Sequence, residues 1–585
     1  MMTRSFFHAF STALAVMAWC AGAVHGEIRP EYLMDHDPEI RVPEAREVFS
    51  TKLKPLWLQA LARPEADMQR MAAEAFARGH ATGIEGMQEA IPGLVKVLTA
   101  ESSHPAARQA AARALVALDF ADSAPQLAES ASKFGADLRL IAEPALARWD
   151  YQPMRQVWFT RLEAPATGRQ DLVLAIRCLA VAGDSSAVPL LLELVHRPAE
   201  KPATRLEAAQ AAGLLRDQGL EPDARRLLAG PRSPALLNRL CAAKLLAKHD
   251  GTDARSLLQT LAADAEPAVA VLALARLVAI DPHQALELAE KALQSADPKL
   301  RQSGVDAFAR APDPARVAAL ARLLDDPHPA VRASVRESLY DIAQRPDLAD
   351  PVHRSAMEIL AGNSWRGLEQ AALLLAALGH HPAAARLIEL LDFNRPEVNI
   401  AAAWGLKTLA VPETMPALLE VARRRTDFRL EGKTATGLDD HTGHLLEAFG
   451  KVKYAPAEGL LRQHVPKDFQ MGLFSRSAAI WSLGRLHEGV PDEKLAGQLL
   501  DRLTDEGMIR EVPHVKYMSA VSLARMKAVS RAEAIRQYVG PDIPPTRLGM
   551  TIRWALIELT GEKIPEPEYR PASKADWFLE PLDEN

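Results

Sequence analysis

The chain has 585 residues, 48% of them hydrophobic and 5% aromatic, with 69 Lys and Arg against 75 Asp and Glu for a net charge of −6. That length exceeds what one closed core usually serves, and the mild acidity disfavours nucleic acid and anionic membrane surfaces as partners. The three cysteines are too few for a disulfide framework, and no Cys-x-x-Cys-His sequence is present to attach a haem.

Residues 1–26 read as a secretory signal. Arg4 supplies the positive start, Phe6 to Trp19 is largely apolar, and small residues precede a predicted cleavage before Glu27. His8, Ser11 and Thr12 shorten the apolar run below the roughly 20 residues of a spanning helix. The expected localisation is therefore exported, periplasmic or secreted, with no membrane span after cleavage. Cleavage removes Arg4 and no acidic residue, so the exported chain is slightly more acidic. Residues 27–50, with Asp35-His36-Asp37-Pro38-Glu39, are acidic and proline-broken, which predicts an extended lead-in or an end cap.

From about residue 51 a repeat takes over. Pro followed three residues later by Arg or Lys recurs at Pro105–Arg108, Pro202–Arg205, Pro298–Arg301, Pro329–Arg332, Pro513–Lys516 and Pro544–Arg547. Prolines in this phase at 202, 234, 267, 298 and 329 are 31–33 residues apart, a period that signals stacked supersecondary units. Behind each proline runs one face of a helix, as in Val331, Val335, Leu339 and Ile342, or Val398, Ala402, Leu406 and Leu409. Proline suits the first helical position, and Asp264, Asp297 and Asp326 suit the turn or cap that feeds it. A second amphipathic stretch precedes each such helix, for example Arg316 to Leu324. Each unit is thus an antiparallel helix pair, and the chain is expected to be all-α.

The run Leu323-Leu324-Asp325-Asp326-Pro327-His328-Pro329-Ala330-Val331-Arg332, followed by Ala333 and Leu339, resembles a HEAT repeat of the bacterial type first grouped with phycobilisome lyases. The resemblance implies a right-handed α-α superhelix, a HEAT-repeat α-solenoid, of about 13–14 antiparallel helix pairs. It divides the chain into an array over 51–410, irregular repeats over 411–470, further repeats over 471–561 and a Pro-rich tail over 562–585. It also implies that Arg108, Arg205, Arg301, Arg332, Lys516 and Arg547 reach the aspartates of neighbouring repeats as a ladder, with Asp297 and Asp326 well placed. Cys178 and Cys241, about two repeats apart, are read as buried thiols rather than a bridge.

Between Pro396 and Arg476 the period fails, which predicts an insertion, placed at Arg423 to His444. This polar stretch carries the candidate binding residues Arg423, Arg424, Arg425 and Arg429 at its start and Asp439, Asp440, His441 and His444 at its end. Two carboxylates and two imidazoles within six residues are the donor types of a divalent-metal site; the alternative is a helix cap with solvated histidines. The arginines suit an anionic partner or a helix C-terminus. Diiron hydroxylases of the HEAT type carry several His-Glu dipeptides, whereas here only His487-Glu488 occurs, at a helix end. The tail, with Tyr569, Trp577 and Phe578, is expected to fold back over the last helix pair or to dock into a partner.

The sequence therefore predicts a non-catalytic exported scaffold that binds protein partners through the solenoid surface, with no catalytic residues, metal or cofactor assigned. The alternatives are an enzyme subunit or metal-binding protein with its site at 423–444, and a binder of an anionic polysaccharide.

Overall fold

A computed structural model describes residues 28–43, 45–46, 49–50, 52–229, 235–567, 570–571 and 577–579. The expected signal over 1–26 lies outside these residues. Among them thirty α-helices, α1 to α30, follow one another in antiparallel pairs, so the all-α expectation holds. The sole sheet among the described residues is a two-residue parallel pairing of Ala45–Arg46 with Arg570–Pro571.

The chain forms two compact units. Unit I comprises residues 42–311 with 565–585, and unit II residues up to 41 with 312–564. Unit I holds α1 (Leu53–Ala62) to α16 (Pro298–Arg310). Unit II holds α17 (Pro314–Arg322) to α30 (Arg547–Thr560).

Helix starts follow the proline rule. Pro105, Pro202, Pro267, Pro298, Pro329, Pro396 and Pro513 each occupy the first helical position, where the missing N–H has no intrahelical partner to lose. Asp297 accepts the N–H groups of Lys299 and Leu300, and Asp326 accepts that of His328. Val331, Val335, Leu339 and Ile342 are all buried, and each such side chain contributes about 1.5–3 kcal/mol relative to exposure. The last repeat departs from the pattern: its helix starts at Arg547, three residues after Pro544, with Thr546 as the N-cap accepting Gly549 N–H.

Of the residues expected to form a ladder, Lys516 pairs with the Glu506 carboxylate at 2.8 Å, and four arginines bind backbone carbonyls. Arg108 donates to the carbonyls of Leu98 and Ala100, Arg205 to that of Val195, Arg301 to those of Ser295 and Ala296, and Arg332 to those of Asp326 and Pro327. These guanidiniums satisfy carbonyls left over where the preceding helix ends, which a carboxylate could not do. Repeat-to-repeat ion pairs include Arg139–Asp171 at 2.9 Å and the buried Arg476–Glu511 at 2.7 Å.

The tail also differs from expectation. Its first residues do fold back, with Arg553 of α30 donating to Ile564 O at 2.7 Å. Its aromatic anchor does not: in unit I, Trp577 is buried against Trp57 of α1, Phe49 and the guanidinium of Arg78 on α2 (Ala66–Ala81), and Trp57 Nε1 donates to Phe578 O at 2.5 Å. An indole there covers the apolar end of the first repeat, as solenoid ends require. Cys178 and Cys241 are free and buried, and burial pushes the Cys241 thiol up to about 11.

In unit II, α22 (Pro396–Leu409), α24 (Leu438–Val452), α26 (Leu473–Leu486), α28 (Pro513–Arg525) and α30 pack side by side as one layer. Small residues bring them close. A Cβ on Gly450 would stand 2.7 Å from Ser482 Cα, and one on Gly484 2.8 Å from Ser522 Cα. The two serines use the proximity to donate to Leu446 O and Ile480 O, each at 2.8 Å.

Candidate functional site

The array continues without interruption through 396–476. The predicted insert is mostly helix: α23 (Met415–Leu430) contains Arg423, Arg424, Arg425 and Arg429, and α24 contains Asp439, Asp440, His441 and His444. Only residues 431–437 form the connection. Leu418, Ala422, Thr426 and Arg429 lie on one buried face of α23 while polar residues take the other, so the stretch is amphipathic helix rather than loop. The 80 residues from Pro396 to Arg476 hold two long repeats starting at Pro396 and Leu438, ahead of α26.

The eight candidate residues do not converge on one site. Arg423 pairs with Glu420 of its own helix, and Arg424 and Arg425 both pair with Asp392. Asp439 accepts the N–H groups of Phe474 and Ser475 at 3.0 Å and the Ser475 hydroxyl at 2.7 Å, so it caps α26. Arg429 supports that cap through Asp439 and Gln470 O. Gly472, at φ +86°, stands where any Cβ would strike Asp439. His441 is buried, its Nε2 has no hydrogen-bond partner, and burial holds the imidazole down at about 3. The histidines are therefore not solvated, and none of Asp439, Asp440, His441 and His444 belongs to a metal-type cluster among the described residues. The cluster with that geometry is Glu458, His487 and Asp492. Arg462 already sits in it, with Nη2 2.7 Å from Glu458 and 2.6 Å from Asp492, so the guanidinium is its cation. His487 there has its Nε2 3.0 Å from the Glu458 carboxylate, which accepts from it, so the ring has a side-chain partner beyond the helix dipole.

Asp440 and His444 belong to a different arrangement, built around the lead-in. Residues 31–37 lie across the layer α22 to α30 and are held by one helix after another. Tyr32 stacks between His444 at 4.4 Å and Phe474 at 4.8 Å, and its hydroxyl donates to Asp440 at 2.9 Å. Gly443 makes the space, since a Cβ there would lie 3.0 Å from the Tyr32 ring. Met34 is fully buried and donates its N–H to Glu447 at 2.8 Å. Lys407 of α22, itself buried, spends its ammonium on Glu447 at 2.8 Å, His444 Nδ1 at 3.2 Å and Glu31 O at 2.5 Å. Further along, Trp481 Nε1 and Arg525 donate to Asp37 O at 3.0 Å, Arg525 also pairs with the Asp37 carboxylate, and Arg547 donates to Asp35 O at 2.8 Å. His514 lies 3.4 Å from Asp35, and its hydrogen bond holds that carboxyl below the usual carboxylate range.

Burial lowers both Lys407 and His444, yet all three ammonium protons are engaged, leaving no free amine as a nucleophile. Burial and the Asp440 carboxylate raise Tyr32, so its phenol stays protonated and donates. What the site presents is a row of donors and acceptors directed at the main chain of an extended segment, with pockets for two side chains.

Sequence reasoning missed Lys407 and Glu447. The available signal was a single charge in each of two apolar helical runs, Ala-Ala-Ala-Trp-Gly-Leu-Lys-Thr-Leu and Leu-Leu-Glu-Ala-Phe, since buried charges on neighbouring repeats need partners.

No protein-family model matches the sequence, and no curated protein matches it at a significant level. Solved structures do match. Kap95p, the yeast importin-β, bound to RanGDP superposes with a TM-score of 0.51 at 13% identity over 87% of this chain and 72% of that one. The Kap95:Nup1 complex gives 0.52 at 12% over 87% and 73%, and a Kap121p mutant 0.51 at 11% over 87% and 56%. The fold is a HEAT-repeat α-solenoid. At these identities the likeness concerns the fold alone.

Proposed function

We propose that this chain is an exported, non-catalytic scaffold that binds protein partners through its solenoid. The observation that carries this reading is the layer α22 to α30 grasping residues 31–37 through their main chain. Five side chains from five helices, Lys407, Glu447, Trp481, Arg525 and Arg547, each make a hydrogen bond to a backbone group of that segment. A surface that reads backbone plus two side-chain pockets is how extended peptides are generally recognised. The apolar stretch Phe6 to Trp19 behind Arg4 supports export, and no described helix is long and apolar enough to cross a membrane. Stacked helical repeats in general expose surfaces of the kind that bind macromolecules.

The test is affinity capture from an envelope fraction with the chain starting at Glu27, read by mass spectrometry, together with N-terminal sequencing of the protein recovered from cells. A specific protein retained in stoichiometric amount, and a mature N-terminus at Glu27, are expected. Recovery of glycan or metal without any protein would overturn the scaffold reading, and a retained Met1 in the cytosolic fraction would overturn export.

A further inference from the structure

Residues 31–37 are held as a ligand is held rather than as a repeat is. They form no helix beyond the single 3-10 turn Leu33–Asp35, and their burial is confined to Tyr32 and Met34. Glu31 and His36 are exposed, with 66% and 69% of their side chains open to solvent. The surface beneath them is charged to match: Arg525 and Arg547 face Asp35, Asp37 and the carbonyls between, with His514 beside them. Arg525 Nη1 is buried without a hydrogen-bond partner, so the cradle has a donor that this segment leaves unused.

From this geometry we infer that the face of α22 to α30 is a receptor for an extended acidic segment of a partner protein, with a tyrosine and a methionine ahead of two aspartates, and that residues 31–37 occupy it as an internal competitor. The inference rests on the scaffold reading and specifies its partner. The two ends of the site differ: one offers the acceptors Asp440 and Glu447 beside the Lys407 ammonium, the other the donors Trp481, Arg525 and Arg547. Side-chain selectivity comes from the slot between His444 and Phe474 and from the space that Met34 fills. A tethered segment competes at an effective concentration of order millimolar. An external peptide with an intrinsic Kd near 10 μM would therefore bind about 100-fold more weakly until the internal segment is released.

The probe is a fluorescein-labelled peptide with the sequence of residues 29–40, Arg-Pro-Glu-Tyr-Leu-Met-Asp-His-Asp-Pro-Glu-Ile, titrated by anisotropy into the chain from Glu27. The expected result is weak binding to the unaltered chain and binding about 100-fold tighter to a Tyr32→Ala, Asp35→Ala, Asp37→Ala chain. Adding Arg525→Ala and Arg547→Ala should abolish that gain, and a peptide with Asp35→Lys and Asp37→Lys should not bind. A loosened chain that keeps its thermal transition and does not bind the peptide overturns the inference. So does an unaltered chain that elutes as a dimer dissociated by the same three substitutions, because the occupant would then be a second copy.

If the loosened chain fails to fold, hydrogen exchange on the unaltered chain decides. Amides of 33–37 should exchange far faster than those of α24, and faster still in excess peptide; protection equal to α24 means a permanent seam and overturns the inference. Capture experiments separate the two readings. A native protein retained equally by the unaltered chain and by the Arg525→Ala, Arg547→Ala chain keeps the scaffold reading and overturns this one. Retention that rises on loosening and falls with the arginine substitutions supports both.

Discussion

Replacing Lys407 by Met tests the buried heart of this site. The ammonium pairs at 2.8 Å with Glu447, whose carboxylate is fully buried and whose other oxygen accepts Met34 N–H. Met has similar length and leaves no cavity, but it strands the carboxylate and frees Glu31 O and His444 Nδ1. Removing one partner of a buried ion pair typically costs about 3–5 kcal/mol, because the remaining charge has neither water nor counter-charge. Two compact units make a single global unfolding free energy ill-defined, so the assay is native-state hydrogen exchange on peptides from α22 and α24. The stated cost corresponds to exchange faster by about two to nearly four orders of magnitude there, with peptides of α8 (Arg169–Val181) in unit I unchanged. Adding Glu447→Gln should restore most of the protection, since Gln keeps an acceptor for Met34 N–H and removes the stranded charge. A single substitution that changes exchange less than about fivefold, about 1 kcal/mol, or a double substitution as damaging as the single one, would refute the ion-pair argument.

Burial holds His441 at about 3 and His464 at about 4, so both are neutral in the folded chain and titrate near 6.5 when unfolded. The unfolded chain then binds more protons below about pH 6.5; stability is full above that value and falls as pH drops, by about 2 kcal/mol per histidine at pH 5. Denaturant midpoints of His441→Gln and His464→Gln chains should depend less steeply on pH between 7 and 5; an unchanged dependence would contradict it. Asp439→Ala removes three hydrogen bonds from the start of α26 and leaves Arg429 facing only Gln470 O, for an expected loss of about 1–2 kcal/mol; Asp439→Asn should recover part of it, as thermal melts would show. Gly450→Ala places a Cβ 2.7 Å from the Ser482 backbone, and overpacking of that kind costs about 1–3 kcal/mol. Equal thermal stability of this variant and the unaltered chain would mean that α24 and α26 are less tightly apposed than described.

Much of the fold was legible in the chain itself. Prolines at first helical positions and apolar residues four, four and three apart declare a helix and the face it buries, because both are local properties of backbone and side-chain spacing. The repeat period adds that each pair must stack on the next, since no pair can bury its face alone. The same local rules misread α23. Arg423, Arg424 and Asp427 fill its exposed side, and polarity on an outer helix looks like polarity in a loop when the buried face is narrow and itself contains Thr426 and Arg429.

The site was decided by tertiary structure. Asp439 and His444 lie five residues apart in the sequence, yet one caps the next helix while the other stacks on Tyr32, more than four hundred residues earlier. Such pairings depend on the direction each helix face points after stacking, and a periodicity of 3.6 residues fixes that direction only relative to the same helix. Local sequence thus determined what repeats and which residues are buried. What those residues meet, including the lead-in laid over Lys407 and Glu447, followed only from the packing of one repeat on another, because contacts between distant segments leave no local pattern.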